Sequence, residues 1–176
     1  MSLKHAVLGL LSSGPASGYD LLQTFHQSLV NVWPATQSQL YGELGKLADA
    51  GLVTVVSEGG RGRKEYTITE EGLAELRHWL SEVEPVPQRR SEMLLRVFFL
   101  GVIPPDEAEA YLRRRAIAAV DQLQGLRATE EVIRDDTRPL AVHGRIALEW
   151  GLRFAAMQKE WAEWAAKEIA AAGESR

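Results

Sequence analysis

Gln37, Ser38, Gln39 and Tyr41 crowd polar hydrogen-bonding groups into one short stretch, and downstream three cations, Arg61, Arg63 and Lys64, sit among glycines in GGRGRK at 59–64. A glutamine carboxamide matches the donor and acceptor on the edge of adenine, and serine and tyrosine hydroxyls suit phosphate oxygens. Compact positive charge on a glycine-rich turn suits phosphates or a minor groove. Taken one at a time, these are also the marks of a solvent-facing helix surface and a solvated turn. Their succession favours a contact with DNA divided between base edges and backbone. Tyr19 admits two readings, a hydroxyl bonded to phosphate or a ring packed against the protein.

The elements that would carry these residues follow from local signals. Thr36 and Gln39 have capping-box spacing, so a helix starts there, and Thr36 joins the residues expected to face DNA. Leu40, Leu44 and Leu47 form its inward stripe, and Gly51 closes it. Val53 and Val55, then Tyr66 and Ile68, mark two strands joined by a long glycine-rich tip. A polar-faced helix running into a basic hairpin is the sequence form of a winged helix-turn-helix, with the helix in the major groove and the wing along the backbone or minor groove. Upstream, Leu3, Val7, Leu10 and Leu11 share a helical face that ends at SSGP, 12–15. Ser17 and Asp20 start a second helix reaching about Leu29, and Trp33-Pro34 breaks the chain. Thr69 caps a fourth helix, with Glu70 and Glu71 in its first turn. Gly42 and Gly45 inside the third helix each cost about 1 kcal/mol relative to alanine. Either they let the backbone approach DNA or helix two closely, or they simply weaken the helix.

PVPQRR at 85–90 reads as a linker. The expected organisation is a winged helix-turn-helix over 1–84, the linker, and an all-helical dimerisation and effector-binding domain over 91–176, in a mainly α protein. In the second part, helices are predicted over 92–100, from an opening at Pro104-Pro105 to about Arg134, and from about Leu140 to Ala172. Along the last one His143, Ala147, Trp150, Phe154, Met157, Trp161 and Trp164 alternate at spacings of four and three, a heptad seam that demands a helical partner. The expectation is burial both within the chain and in a dimer. Such a stripe is more often core or interface than pocket. Trp150, Phe154, Met157, Trp161 and Trp164 are nonetheless the residues that would hold a flat hydrophobic effector. Arg113-Arg114-Arg115 lies close to Asp106, Glu107 and Glu109 and reads as a solvated face.

The totals limit the alternatives. The 176 residues carry a formal charge of −4, and residues 1–84 alone hold six Lys/Arg against ten Asp/Glu. Positive charge must therefore be local, and affinity for DNA modest and strongly salt-dependent. There is no cysteine, and the four histidines are scattered, so no metal or cofactor is expected. No nucleophile motif, phosphate loop or paired carboxylate appears, so no enzyme is expected. No apolar run reaches membrane-spanning length, and a cytoplasmic protein is expected. The acidic N-terminal half favours one rival, a winged-helix protein-interaction module without DNA, and the tryptophan seam favours another, a small-molecule binder with no regulatory role.

LKHAVLGLLSSGPASGYDLL at 3–22, SQLYGELGKLADAGLV at 38–53 and GRGRKEYTITEEGL at 60–73 together resemble the PadR family of bacterial winged-helix transcriptional regulators. The likeness extends over most of the chain, including the long helical second part. It implies a homodimer that binds an imperfect palindrome on double-stranded DNA, usually as a repressor, and releases it when a small hydrophobic or phenolic molecule binds. Carried over by residue, it implies DNA contacts at Tyr19, Ser38, Gln39, Tyr41, Arg63 and Lys64. Two positions depart from the family pattern. Gly42 stands where an arginine or proline is frequent, which removes a phosphate contact in the first case, and Gly62 stands where proline would stiffen the wing.

Overall fold

Leucines three and four residues apart draw the first three helices onto one another. In the computed structural model, which describes residues 2–29, 32–59, 63–86, 90–137 and 140–174, these are α1 (Ser2–Leu11), α2 (Gly18–Ser28) and α3 (Gln37–Asp49). Val7, Leu8 and Leu11 from α1, Leu21 and Phe25 from α2, and Leu40, Leu44 and Leu47 from α3 are all buried in one core. The inward face of α1 is rotated from the expected one: Leu8 is fully buried, while Leu3 and Leu10 are only partly so. Capping sets the helix starts. Ser17 and Asp20 form a reciprocal capping box at α2, and Thr36 and Gln39 form another at α3. At the far end of α3, Gly51 adopts φ 71°, Leu52 N donates to Leu47 O at 2.9 Å and Gly51 N to Ala48 O at 3.0 Å. This is a Schellman stop, and its left-handed residue is open to glycine at least steric cost.

Strands β2 (Val53–Gly59) and β3 (Arg63–Ile68) pair antiparallel, and a third strand, β1 (Ala16–Ser17), pairs with the other edge of β3, giving the order β1-β3-β2. The expected wing had two strands. The third is two residues long and offers no alternation for a sequence to display. The register shifts between Val55 and Ser57, so Val56 is an extra residue that interrupts the alternation of the ladder.

The wing closes onto α4 (Glu70–Ser81) through one tight junction. Thr69 N donates to Leu52 O at 3.1 Å, Thr69 Oγ1 donates to Gly51 O at 2.8 Å, and Gly72 N donates to Thr69 Oγ1 at 3.0 Å. Gly72 lies so close to the end of α3 that a Cβ there would sit 2.1 Å from Leu52 O. Helix α4 then packs back on α1. Leu76 enters the core, Trp79 stacks on His5 with centroids 4.3 Å apart, and Glu75 Oε1 accepts from Lys4 Nζ at 2.6 Å and His5 Nε2 at 3.2 Å.

The chain divides into two compact units, Met1–Val86 and Pro87–Arg176. Residues 87–89 of the expected linker lie outside the described residues. The second unit comprises α5 (Glu92–Phe98), a 3-10 turn over Leu100–Val102, α6 (Pro105–Ile133) and α7 (Ala141–Glu174). Helices α6 and α7 run antiparallel, with Gly173 against Pro105 and Gly151 against Leu126. The residues buried along them are mostly alanines: Ala108, Ala116 and Ala119 on α6, with Leu112 and Leu126, and Ala155, Ala162, Ala165 and Ala166 on α7. This corrects the expectation that the tryptophan seam is buried within the chain. Trp150, Phe154, Met157 and Trp164 are exposed, and only Trp161 is partly covered. Alanines let two long helices approach closely, and the neighbouring large aromatics are left on the outside. Among the described residues, no helix is long and apolar enough to cross a membrane.

Two outcomes follow. Gly72→Ala should destabilise the N-terminal unit by about 3 kcal/mol, read by urea denaturation, because the obstacle is a backbone carbonyl that cannot swing aside. Glu75 is held below its ordinary carboxyl pKa by its hydrogen bonds from Lys4 and then His5. A lowered folded-state pKa adds stability above the ordinary value, and that stability is lost as pH falls. Glu75→Gln should therefore cost about 1 kcal/mol at neutral pH, and thermal melts of variant and parent should converge as pH drops below 4.5.

Candidate nucleic-acid interface

With Leu40, Leu44 and Leu47 turned inward, α3 leaves Thr36, Gln37, Ser38, Gln39 and Tyr41 exposed at its N-terminal end. The helix therefore brings together the side chains expected to face DNA. Their availability differs. Gln39 Oε1 accepts from Thr36 N at 2.9 Å and from Thr36 Oγ1 at 3.2 Å. A bidentate pair with adenine would have to open that cap, whereas the Gln39 amide NH2 can donate without disturbing it. Gln37 and Ser38 make no side-chain hydrogen bond among the described residues, so their polar groups are unspent. Farther along, Lys46 faces Glu43 at 3.4 Å, which offsets its positive charge.

Gly42 and Gly45 lie on the same exposed side, and a Cβ at either would meet nothing within 4 Å. Close approach to helix two is thus removed as their explanation. Tyr19 is 58% exposed and its hydroxyl accepts from Gln23 Nε2 at 3.0 Å, so the packed-ring reading fails and the hydroxyl proton is left to donate outward.

The wing is tied to these helices through β3. Ser17, which caps α2, lies opposite Glu65, and Lys64 lies opposite Glu58 with its side chain exposed. Ser57 Oγ donates to Glu65 Oε2 at 2.9 Å just beyond the bulge. Arg63 opens β3 opposite Gly59; Arg61 and the Arg63 side chain lie outside the described residues. One residue escaped the sequence reading. Trp33, three residues before Thr36 in sequence, is 43% exposed. A tryptophan next to a proline signalled only a chain break, although an exposed ring adjoining a polar helix start is itself a contact signal.

In the second unit the seam is exposed except at half-buried Trp161, with the Trp150 and Phe154 rings stacked at 6.1 Å. Trp161, with Met93, Arg115, Gln122 and Gln158, lines a cavity of about 40 Å³. That is room for roughly three waters, well short of an aromatic ligand.

Comparison with known proteins gives this geometry a context. Residues 7–78 match the Transcriptional regulator PadR-like family and residues 89–170 match the Virulence activator alpha C-term family. The negative transcriptional regulator PadR of Bacillus subtilis is 33% identical over 143 residues, 79% of each chain. This chain belongs to the PadR-like family. Crystal structures of B. subtilis PadR with operator DNA and with p-coumaric acid each align with a TM-score of 0.82 at 31% identity, over 96% of this chain and 99% of the other. The Vibrio cholerae virulence activator AphA aligns with a TM-score of 0.83 at 25% identity, over 97% of this chain and 99% of its own. The chain is accordingly a PadR-type transcriptional regulator and not an enzyme.

The exposed glycines of α3 give a direct test of the face. Gly45→Ala should stabilise the isolated protein by about 1 kcal/mol, visible as a raised melting temperature. If DNA backbone or base edges approach this face closely, operator affinity should fall while stability rises.

Proposed function

We propose that this PadR-type regulator is a homodimer that represses transcription by binding a palindromic operator. In each protomer α3 enters the major groove of a half-site and the wing lies along the flanking backbone. The observation that carries this reading is the exposed polar start of α3, with Gln37, Ser38 and Tyr41, joined through Ser17 and β3 to the stem of a wing bearing Lys64. That related B. subtilis PadR has been crystallised on operator DNA supports it. Tyr19, Thr36, Gln39, Arg61 and Arg63 complete the proposed contact set.

The dimer is supported by what the second unit leaves uncovered. Nothing in α5 is buried, although Leu94, Leu95 and Phe98 lie on it, and Trp150, Phe154, Met157 and Trp164 form a stripe on α7. A soluble monomer rarely leaves that much apolar surface in water. We assign these faces to a second copy of the chain. The B. subtilis relative bound to p-coumaric acid supports a small phenolic effector that releases the operator. It can act only by binding one separation of the two recognition helices better than another, moving the half-site spacing away from about 34 Å.

The test is fluorescence anisotropy of a labelled duplex from upstream of this protein's own gene, titrated at two salt concentrations beside a scrambled duplex. Operator binding should be tighter than control binding and should weaken with salt. Arg63→Ala/Lys64→Ala should weaken both duplexes alike and reduce the log–log salt slope by about one for each phosphate no longer neutralised. A phenolic acid that binds free and operator-bound protein equally would refute release. The net charge of −4 over residues 1–84 favours a second reading, a winged-helix protein-interaction module. Absence of binding to either duplex at low salt would select it.

A further inference from the structure

The second turn of α3 approaches the first turn of α2 at Gly18. Gly18 is buried at the start of α2, and a Cβ built on it would lie 2.6 Å from Tyr41 Cε1, 3.1 Å from Cζ and 3.3 Å from the hydroxyl oxygen. The Tyr41 ring therefore rests on the bare backbone of residue 18. Neither backbone can retreat. Gly18 directly follows Ser17, which is 2% exposed, paired with β3 and locked in the capping box with Asp20. Tyr41 directly follows Leu40, fully buried in the core. The movable part is the Tyr41 side chain, which is 41% exposed and has open solvent to swing into. Its hydroxyl makes no hydrogen bond among the described residues.

We infer that Gly18 is a positioning residue for operator recognition: the absence of its side chain lets the hydroxyl edge of the Tyr41 ring lie against α2, with the hydroxyl held beside the start of that helix. The inference rests on the operator-binding reading above and adds to it a residue that touches no DNA. Alanine at this helix start is compatible with the backbone and is a better helix former than glycine. The substitution therefore spares the fold and displaces the ring, and the loss falls on binding.

Gly18→Ala, Tyr41→Ala, Tyr41→Phe and the Gly18→Ala/Tyr41→Ala pair test this in the full chain. The first readout needs no DNA. With labelled tyrosine and phenylalanine, NMR should show a nuclear Overhauser effect between the Gly18 α protons and the ε protons of residue 41 in the parent and in Tyr41→Phe, and none from residue 18 in Gly18→Ala. The second is operator affinity. Gly18→Ala should retain the parent melting temperature and bind about tenfold more weakly. Tyr41→Ala should weaken binding by about as much, and Gly18→Ala should cost nothing further in the Tyr41→Ala background. Tyr41→Phe should also bind more weakly with its ring still seated, which isolates the hydroxyl. Parent-like operator binding by Gly18→Ala overturns the inference, as does an equal loss in both backgrounds accompanied by a lowered melting temperature. A seated ring in a parent protein that does not distinguish operator from scrambled duplex overturns it through the operator reading instead.

Discussion

The N-terminal unit depends on the inward pull of three leucines. Leu40, Leu44 and Leu47 fix the rotation of α3 about its own axis, and that rotation decides which side chains meet solvent. Gln37, Ser38, Gln39 and Tyr41 lie outward because those three lie inward. The Schellman stop at Gly51 and the contacts of Thr69 and Gly72 with Gly51 and Leu52 then fix where the helix ends and where the wing begins. Helix α3, the wing stem and α4 thus share one small region of backbone. In the second unit the controlling constraint is different. Small residues bring α6 and α7 close together, and the large aromatics have no place between them.

Charge on this molecule works locally. An overall excess of acid does not forbid a polyanionic partner when the acids are spent on structure. Glu75 is bound to Lys4 and His5, Glu65 accepts from Ser57, Glu43 faces Lys46, and Asp20 belongs to a helix cap. The same pairing also limits attraction, since it draws Lys46 away from any approaching phosphate.

What could be read from the sequence was whatever has a local cause. The capping boxes at Ser17 and Thr36, the cap at Thr69, the stop at Gly51 and the Leu40–Leu44–Leu47 stripe depend on residues within a turn or two of one another. Features that depend on distant partners were not legible. Strand β1 exists only because β3 lies beside it, the bulge at Val56 only because two strands must match lengths, and the inward position of Leu8 only because α3 and α4 press on α1. The seam on α7 shows the limit most clearly. A heptad of aromatics states that a partner is required, but periodicity does not say which partner. The alanines one residue further round took the partner within the chain. At the polar face, the capping-box spacing of Thr36 and Gln39 already implied that the Gln39 carbonyl oxygen would be bonded at home, while a reading of Gln39 as a base contact leaves that bond out.

That bond bears on how such a regulator can diverge. Under the operator-binding reading, Gln39 serves both the start of its own helix and the DNA, so most replacements that would alter base preference there also fray the helix that delivers it. Gln37 and Ser38 carry no such second duty. Duplicated copies of this gene exploring new operators would therefore vary at 37 and 38 first, with 39 lagging as a position that folding holds in place.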